Sequence, residues 1–255
     1  MLNYIRAELW KVSRRRYPFV LTGILLLGAW LFAMTVWIPA GGGRVARMAV
    51  ILEDLLPFGL LMALAMGDMV FNEQYKHGTL KNEITFGAPR ERIYFGKAFS
   101  ALLLGVLCAA IVVGCFLALA LCLPGREAWP EAAGPLGDVL FQVFCALPLW
   151  IGALGLVNAL YFQIKSGAGV AFAYIMILIW GASIPELIAL NVEPLGAASR
   201  AIEEIRLCFL VEPFVRLESM AGNPGYLLRC WAVGMGWFWG SSAAGLLLFR
   251  RRTIA

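Results

Sequence analysis

Six apolar stretches, each cut from the next by a polar or Pro/Gly-rich break, leave this chain few ways to fold. They run over about 18–38, 55–71, 98–121, 139–162, 168–184 and 230–249. A helix needs about 20 mostly apolar residues to cross the hydrocarbon of a bilayer, with a lower bound near 17. Backbone inside lipid must satisfy its own hydrogen bonds, which favours helices here. A soluble core offers no alternative: 61% of the 255 residues are apolar and 15% charged, against about 25% charged in ordinary soluble domains. The predicted fold is an all-α polytopic membrane protein with six transmembrane helices, forming one domain over 1–255.

The breaks shape the expected helices. Pro57 and Gly59 predict a kink in the outer third of the second span, and Pro148 a bend in the fourth. Pro39-Ala40-Gly41-Gly42-Gly43 reads as an outer turn, 123–138 as an outer loop, and Gln163 to Gly167 as a tight inner turn. Pro185 and Glu186 are expected to end the fifth span. Between spans five and six, 187–229 mixes apolar residues at helical spacing (Leu195, Ala198, Ile202, Ile205, Phe209) with charges, and predicts short helices at the outer leaflet. At the start, Leu2, Ile5, Leu9 and Val12 recur at spacings of three and four, so 1–16 predicts an amphipathic helix on the membrane surface. It lacks the early basic region and small-residue cleavage site of a signal peptide.

Charge sets the expected orientation. On one proposed side lie seven basic residues, Arg44, Arg47, Arg126, Arg200, Arg206, Arg216 and Arg229; the rest of the 21 lie on the other. Basic residues accumulate on the cytoplasmic side, so both termini are expected there. The basic clusters sit at span ends, which is topology and not a nucleic-acid surface.

Between spans two and three lies the one long polar stretch on that basic side, 72–97, with Lys76, Lys81, Arg90, Arg92 and Lys97. It is too short for a core of its own and long enough for one or two surface helices. Gly87 and Pro89 should stop any helix near Phe86.

Few residues carry chemistry. The sequence holds no GxxxxGK[ST] phosphate loop and no HExxH, and its single histidine, His77, has no ligand neighbour at metal spacing. No catalytic set and no bound metal or cofactor is expected. Carboxylates near spans are the costlier choices. Asp68 lies about one turn from the inner end of its span and reads either as an interface anchor or as facing a polar cavity or partner. Glu53, Asp54 and Glu186 fall at outer ends and read first as solvated, second as lining a pathway. The cysteines read mostly as small packing residues, while Cys208 and Cys230 share the outer side and leave a disulfide open. Span glycines, among them Gly105, Gly114, Gly152, Gly155, Gly234, Gly236 and Gly240, permit close helix approach, and Gly236-x-x-x-Gly240 has the spacing of a subunit contact.

Taken with the order of spans, one pattern in the polar stretch resembles a known family. An acidic residue, Glu73, is followed by Gly78-Thr79-Leu80, then Arg90, then Gly96-Lys97 opening the third span. With a basic amphipathic start, two spans, an inner connection and four more spans, the chain is similar to the permease subunit of ABC-2-type transporters. The bare six-span form is similar to permeases of lantibiotic and bacitracin-type peptide self-protection, and sodium and drug exporters share it.

The resemblance implies a bacterial cytoplasmic membrane protein that hydrolyses nothing itself. ATP and Mg would sit on a separate ABC ATPase subunit. Residues 72–90 would hold the coupling helix, with Glu73, Tyr75, Lys76, Gly78, Thr79, Leu80, Lys81, Ile84 and Arg90 at the contact; Tyr75, Leu80 and Ile84 are its expected anchors. Residues 1–16 would form the connecting helix and 185–229 the outer gate helices. A second permease copy, or a homologous permease, would complete the pathway for a peptide antibiotic, a drug or a lipid-like amphiphile. Two alternatives compete. A secondary carrier or membrane assembly factor predicts inverted repeats or mid-span charge. An intramembrane enzyme predicts paired catalytic groups at one depth.

Overall fold

The computed structural model describes residues 1–37, 44–76, 79–122, 129–191, 202 and 204–252. Among these the regular elements are helical: α1 (Leu2–Ser13), α2 (Tyr17–Trp37), α3 (Arg44–Leu55), α4 (Phe58–Lys76), α5 (Thr79–Thr85), α6 (Arg90–Cys122), α7 (Trp129–Gln163), α8 (Gly167–Asn191), α9 (Glu212–Val215), a 3-10 turn (Glu218–Met220) and α10 (Pro224–Arg251). Among the described residues, four segments are long and apolar enough to cross a bilayer: Tyr17–Thr35, Arg90–Leu119, Gly134–Gln163 and Pro224–Arg251. Two shorter apolar segments, Phe58–Phe71 and Gly167–Gly181, fall where spans two and five are expected.

Helices outrun the apolar runs that announce them. Helix α6 begins at Arg90 instead of 98, α7 at Trp129 inside the expected outer loop, and α10 at Pro224 instead of 230. At 1.5 Å per residue, the 33 residues of α6 span about 50 Å, well beyond a hydrocarbon core of about 30 Å. Polar turns therefore continue the same helix outside the apolar zone. Pro185 does not end α8, which runs on to Asn191. A proline costs one backbone bond, and neighbouring helices can re-satisfy the freed carbonyl in a spanning helix.

Pro57 does break its helix. It separates α3 from α4, and the Trp150 indole staples the break by donating to the Leu56 carbonyl at 3.1 Å. Gly59 makes room for that ring: a Cβ there would lie 2.2 Å from Trp150 Nε1. The turn at 39–43 lies outside the described residues.

Helix α7 is the axis of the fold. Of its most apolar window 61% is buried, against 11% for the corresponding windows of α2 and α6. Its longest contact is with α10, and glycine makes that contact close. A Cβ on Gly234 would lie 2.1 Å from the Pro148 carbonyl oxygen, and one on Gly152 would lie 2.6 Å from the Gly234 carbonyl oxygen. A smaller cluster of Ala29, Ala33, Leu52, Phe116 and Val139 joins α2, α3, α6 and α7.

Between α8 and α10 the described residues fold onto the bundle. Leu207, Leu210, Phe214 and Leu217 are buried, and Glu212, also buried, pairs with Arg206 at 2.7 Å. Trp237 donates to the Cys208 carbonyl at 2.8 Å, and Asn223 caps α10 ahead of Pro224. Cys208 and Cys230 are both free thiols. Leu195 and Ala198 lie outside the described residues.

Candidate functional site

The polar stretch folds as the last turn of α4, the short helix α5 and the first turns of α6. Helix α5 stops where Gly87 and Pro89 require. Gly87 adopts φ +83°, its N–H donates to the Ile84 carbonyl at 3.0 Å, and the Ala88 N–H donates to the Glu83 carbonyl at 3.1 Å. This is a Schellman end, which satisfies carbonyls that a helix terminus leaves open.

One side of α5 faces inward and the other is open. Leu80 is buried, and Ile84 packs on the core. Expected to anchor a partner, both are turned into the chain itself. Lys81, Asn82, Thr85 and Phe86 are exposed, Phe86 at 89%. Thr79 is half-buried at the start of the helix. Glu73, Tyr75 and Lys76 belong to the last turn of α4, but their side chains, with Gly78 and His77, lie outside the described residues.

Below α5 lies a buried ionic cluster drawn from three helices. Glu83 of α5, Glu8 of α1 and Lys97 of α6 meet: Lys97 Nζ lies 3.6 Å from Glu8 Oε1 and 3.8 Å from Glu83 Oε2. Lys97 is fully buried and Glu8 nearly so. Lys11 closes the ring, 2.8 Å from Glu8 and 3.7 Å from Glu83. The Tyr4 hydroxyl donates to Glu83 Oε2 at 2.8 Å, and Lys97 Nζ sits 5.6 Å from the Tyr4 ring centre and 5.9 Å from that of Phe71. Two lysines thus face two carboxylates. Burial pushes the Tyr4 phenol well above its usual range, and the charges of Glu8 and Glu83 push it further. It stays a donor.

Gly96 makes this arrangement possible. A Cβ at Gly96 would lie 2.3 Å from Tyr4 Cδ1, so only a bare backbone admits the ring that covers Lys97. The Gly96-Lys97 pair thus has a joint structural reason: the glycine receives Tyr4 and the lysine receives the carboxylates.

No family model matches the chain, and no curated protein matches it.

A second junction links the same stretch to α10. The Arg90 guanidinium donates to the Phe249 carbonyl at 2.9 Å and to the Arg250 carbonyl, and lies over the Phe249 ring. Arg250 in turn pairs with Glu91. Arg252 does for α7 what Arg90 does for α10, donating to the Phe162 and Gln163 carbonyls at 2.6 and 3.0 Å. Cations at open helix C-termini stabilise the terminal carbonyls.

The carboxylates singled out in the spans fare differently. Asp68 accepts from the Tyr161 hydroxyl at 2.9 Å, and Tyr161 stacks on Phe71 at 5.1 Å, so Asp68 is tied to α7 instead of standing free at the interface. Glu53 is also not simply solvated: it accepts from the buried Gln142 amide at 2.7 Å. Asp54 is exposed, and the Glu186 side chain lies outside the described residues. Among the described residues no group of His, Cys, Asp or Glu has the makings of a metal site.

Tyr4 and Glu8 are the site residues that pattern reading passes over. The apolar stripe of Leu2, Ile5, Leu9 and Val12 was expected to face the membrane surface; Leu2 is 84% exposed, while Val12 and Glu8, at 1% and 2% exposed, are covered by the protein itself. A signal was present: Tyr4, Glu8 and Val12 fall at intervals of four, a row that puts a carboxylate between two covered positions.

Proposed function

We propose that this chain is the permease subunit of an ATP-driven ABC-2-type exporter in the bacterial cytoplasmic membrane, with six spans and both termini cytoplasmic. It works with a second copy or a homologous permease and is driven by a separate ATPase chain that binds ATP and Mg. The cargo is a peptide antibiotic, a drug or a lipid-like amphiphile.

The observation that carries this reading is the fixing of a short polar helix to two others. Helix α5 exposes Lys81, Asn82, Thr85 and Phe86 while Glu83 holds its other side to Lys97 and Tyr4. A push on the open side is delivered to α1 and α6 through the cluster, and to α10 through Arg90. Removing one partner from a buried ion pair costs about 3–5 kcal/mol, so the junction resists shearing. The contact surface differs in detail from the family expectation: Phe86 takes the exposed position at which Leu80 and Ile84 were expected. On α10, Gly236 and Gly240 are open, with no atom near a Cβ built on either, which suits a second spanning chain there.

The test is capture from native membrane with and without Phe86→Asp. The reading expects a nucleotide-binding chain to accompany the wild type and to be lost, at least tenfold, in the variant while membrane insertion is unchanged. A stable, transport-competent complex with no nucleotide-binding chain overturns it in favour of a carrier or assembly factor.

A further inference from the structure

Helix α1 has a second side that the ionic cluster does not use. Opposite Glu8 and Val12, the exposed residues are Leu2, Arg6, Trp10, Ser13 and Arg14, with Leu2 at 84% and Trp10 at 61%. Arg6, Trp10 and Arg14 fall at intervals of four and form one row. The Arg14 guanidinium lies 5.2 Å from the Trp10 ring centre. The only acid of α1, Glu8, is buried on the far side, so the row carries positive charge alone.

Position does the rest. Across Arg14, Arg15 and Arg16 the chain enters α2 at Tyr17, the start of a segment long and apolar enough to cross a bilayer. Arg15 turns inward to the Met69 carbonyl at 2.8 Å, which ties this junction to α4. A helix attached so closely to a spanning segment is held at the boundary between water and hydrocarbon. Phosphate groups lie at that boundary, Trp favours it, and Arg meets phosphate oxygens with two parallel N–H donors.

We infer that the open side of α1 binds the headgroups of anionic phospholipids, with Arg6 and Arg14 on the phosphates and Trp10 between them at headgroup depth. The occupant is a bilayer lipid of net negative charge. The same helix then grips the lipid surface on one side and the ionic cluster on the other.

The test is native mass spectrometry of the full chain in neutral detergent, titrated with phosphatidylglycerol or phosphatidylcholine of matched acyl chains. Each basic side chain near an anionic surface is worth about fivefold in affinity. The wild type is expected to prefer phosphatidylglycerol, Arg6→Gln/Arg14→Gln to lose that preference by on the order of tenfold or more, and Arg6→Lys/Arg14→Lys to keep most of it. Lys81→Gln, on α5, is expected to leave the lipid preference of the isolated chain unchanged. Melting temperatures matching the wild type show that the variants are folded. Equal binding of the two lipids by the wild type overturns the inference. So does a glutamine double variant that keeps the preference, or complete displacement of the lipid by millimolar inorganic phosphate.

Discussion

The inner junction of α1, α5 and α6 and the long contact of α7 with α10 are both tight, and they are tight for opposite reasons. At the first, charge is brought into a dry place and neutralised by geometry: Lys97 is buried between Glu8 and Glu83. At the second, side chains are removed until backbones nearly touch, as where Gly234 meets Pro148. A glycine contact is a matter of shape. A buried ion cluster is a matter of charge, because a displaced charge loses its compensation. The comparison separates a joint from a bearing face: the inner end is held by paired charges, and the α7–α10 face by backbone set against backbone.

Lys97→Met should break the joint most severely, lowering stability by about 3–5 kcal/mol because two carboxylates lose their buried partner. Thermal unfolding in detergent measures it, and Lys97→Met combined with Glu8→Gln should recover part of the loss. Recovery of nothing would mean that the two residues do not act on each other.

Tyr4→Phe removes one hydrogen bond to a charged acceptor and should cost about 1.5–3 kcal/mol. Its pH dependence has a definite sign. The folded phenol is held above its ordinary value, so its contribution is complete below the unfolded value of about 10 and is lost only as pH rises beyond that. The wild-type advantage over Tyr4→Phe should therefore be flat between pH 6 and 9. A clear decline within that window contradicts the assignment.

Gly234→Ala tests the bearing. The added methyl meets backbone, which cannot swing aside, and overpacking of this kind costs about 1–3 kcal/mol. Gly236→Ala is the smallest effect and the sharpest contrast. Nothing stands near its Cβ, and alanine gains up to about 1 kcal/mol over glycine in a helix. Unchanged or slightly raised stability is expected in the isolated chain.

The long apolar helices and the end of α5 were legible because they rest on local signals: long apolar runs, and Gly87 and Pro89 after α5; Pro57 was legible only as a kink, where the structure has a break that sets α3 apart as a helix of its own. Helix onsets were not, since apolar runs mark where lipid begins and not where hydrogen bonding does; Arg90 and Trp129 start helices in polar sequence. Pro185 misled for the related reason that a proline in a bundle can be re-satisfied by its neighbours. At the site, Gly96, Lys97 and Arg90 were visible as a pattern without a cause. Their partners Tyr4, Glu8 and Phe249 are remote in sequence, and only the packed structure supplies them. Glu8 lies off the apolar stripe of α1 and reads there as an ordinary polar-face acid; the buried Lys97 opposite it is what gives it a role.

The cluster takes its members from three separate helices, and this limits how the chain can be altered. Reversing the sign of Glu8 or Lys97 leaves like charges facing each other in the protein interior. Reversing Glu8, Lys11, Glu83 and Lys97 together restores the balance while writing it in the opposite polarity. Two chains built to the two polarities would each mismatch charges if they traded their first helices.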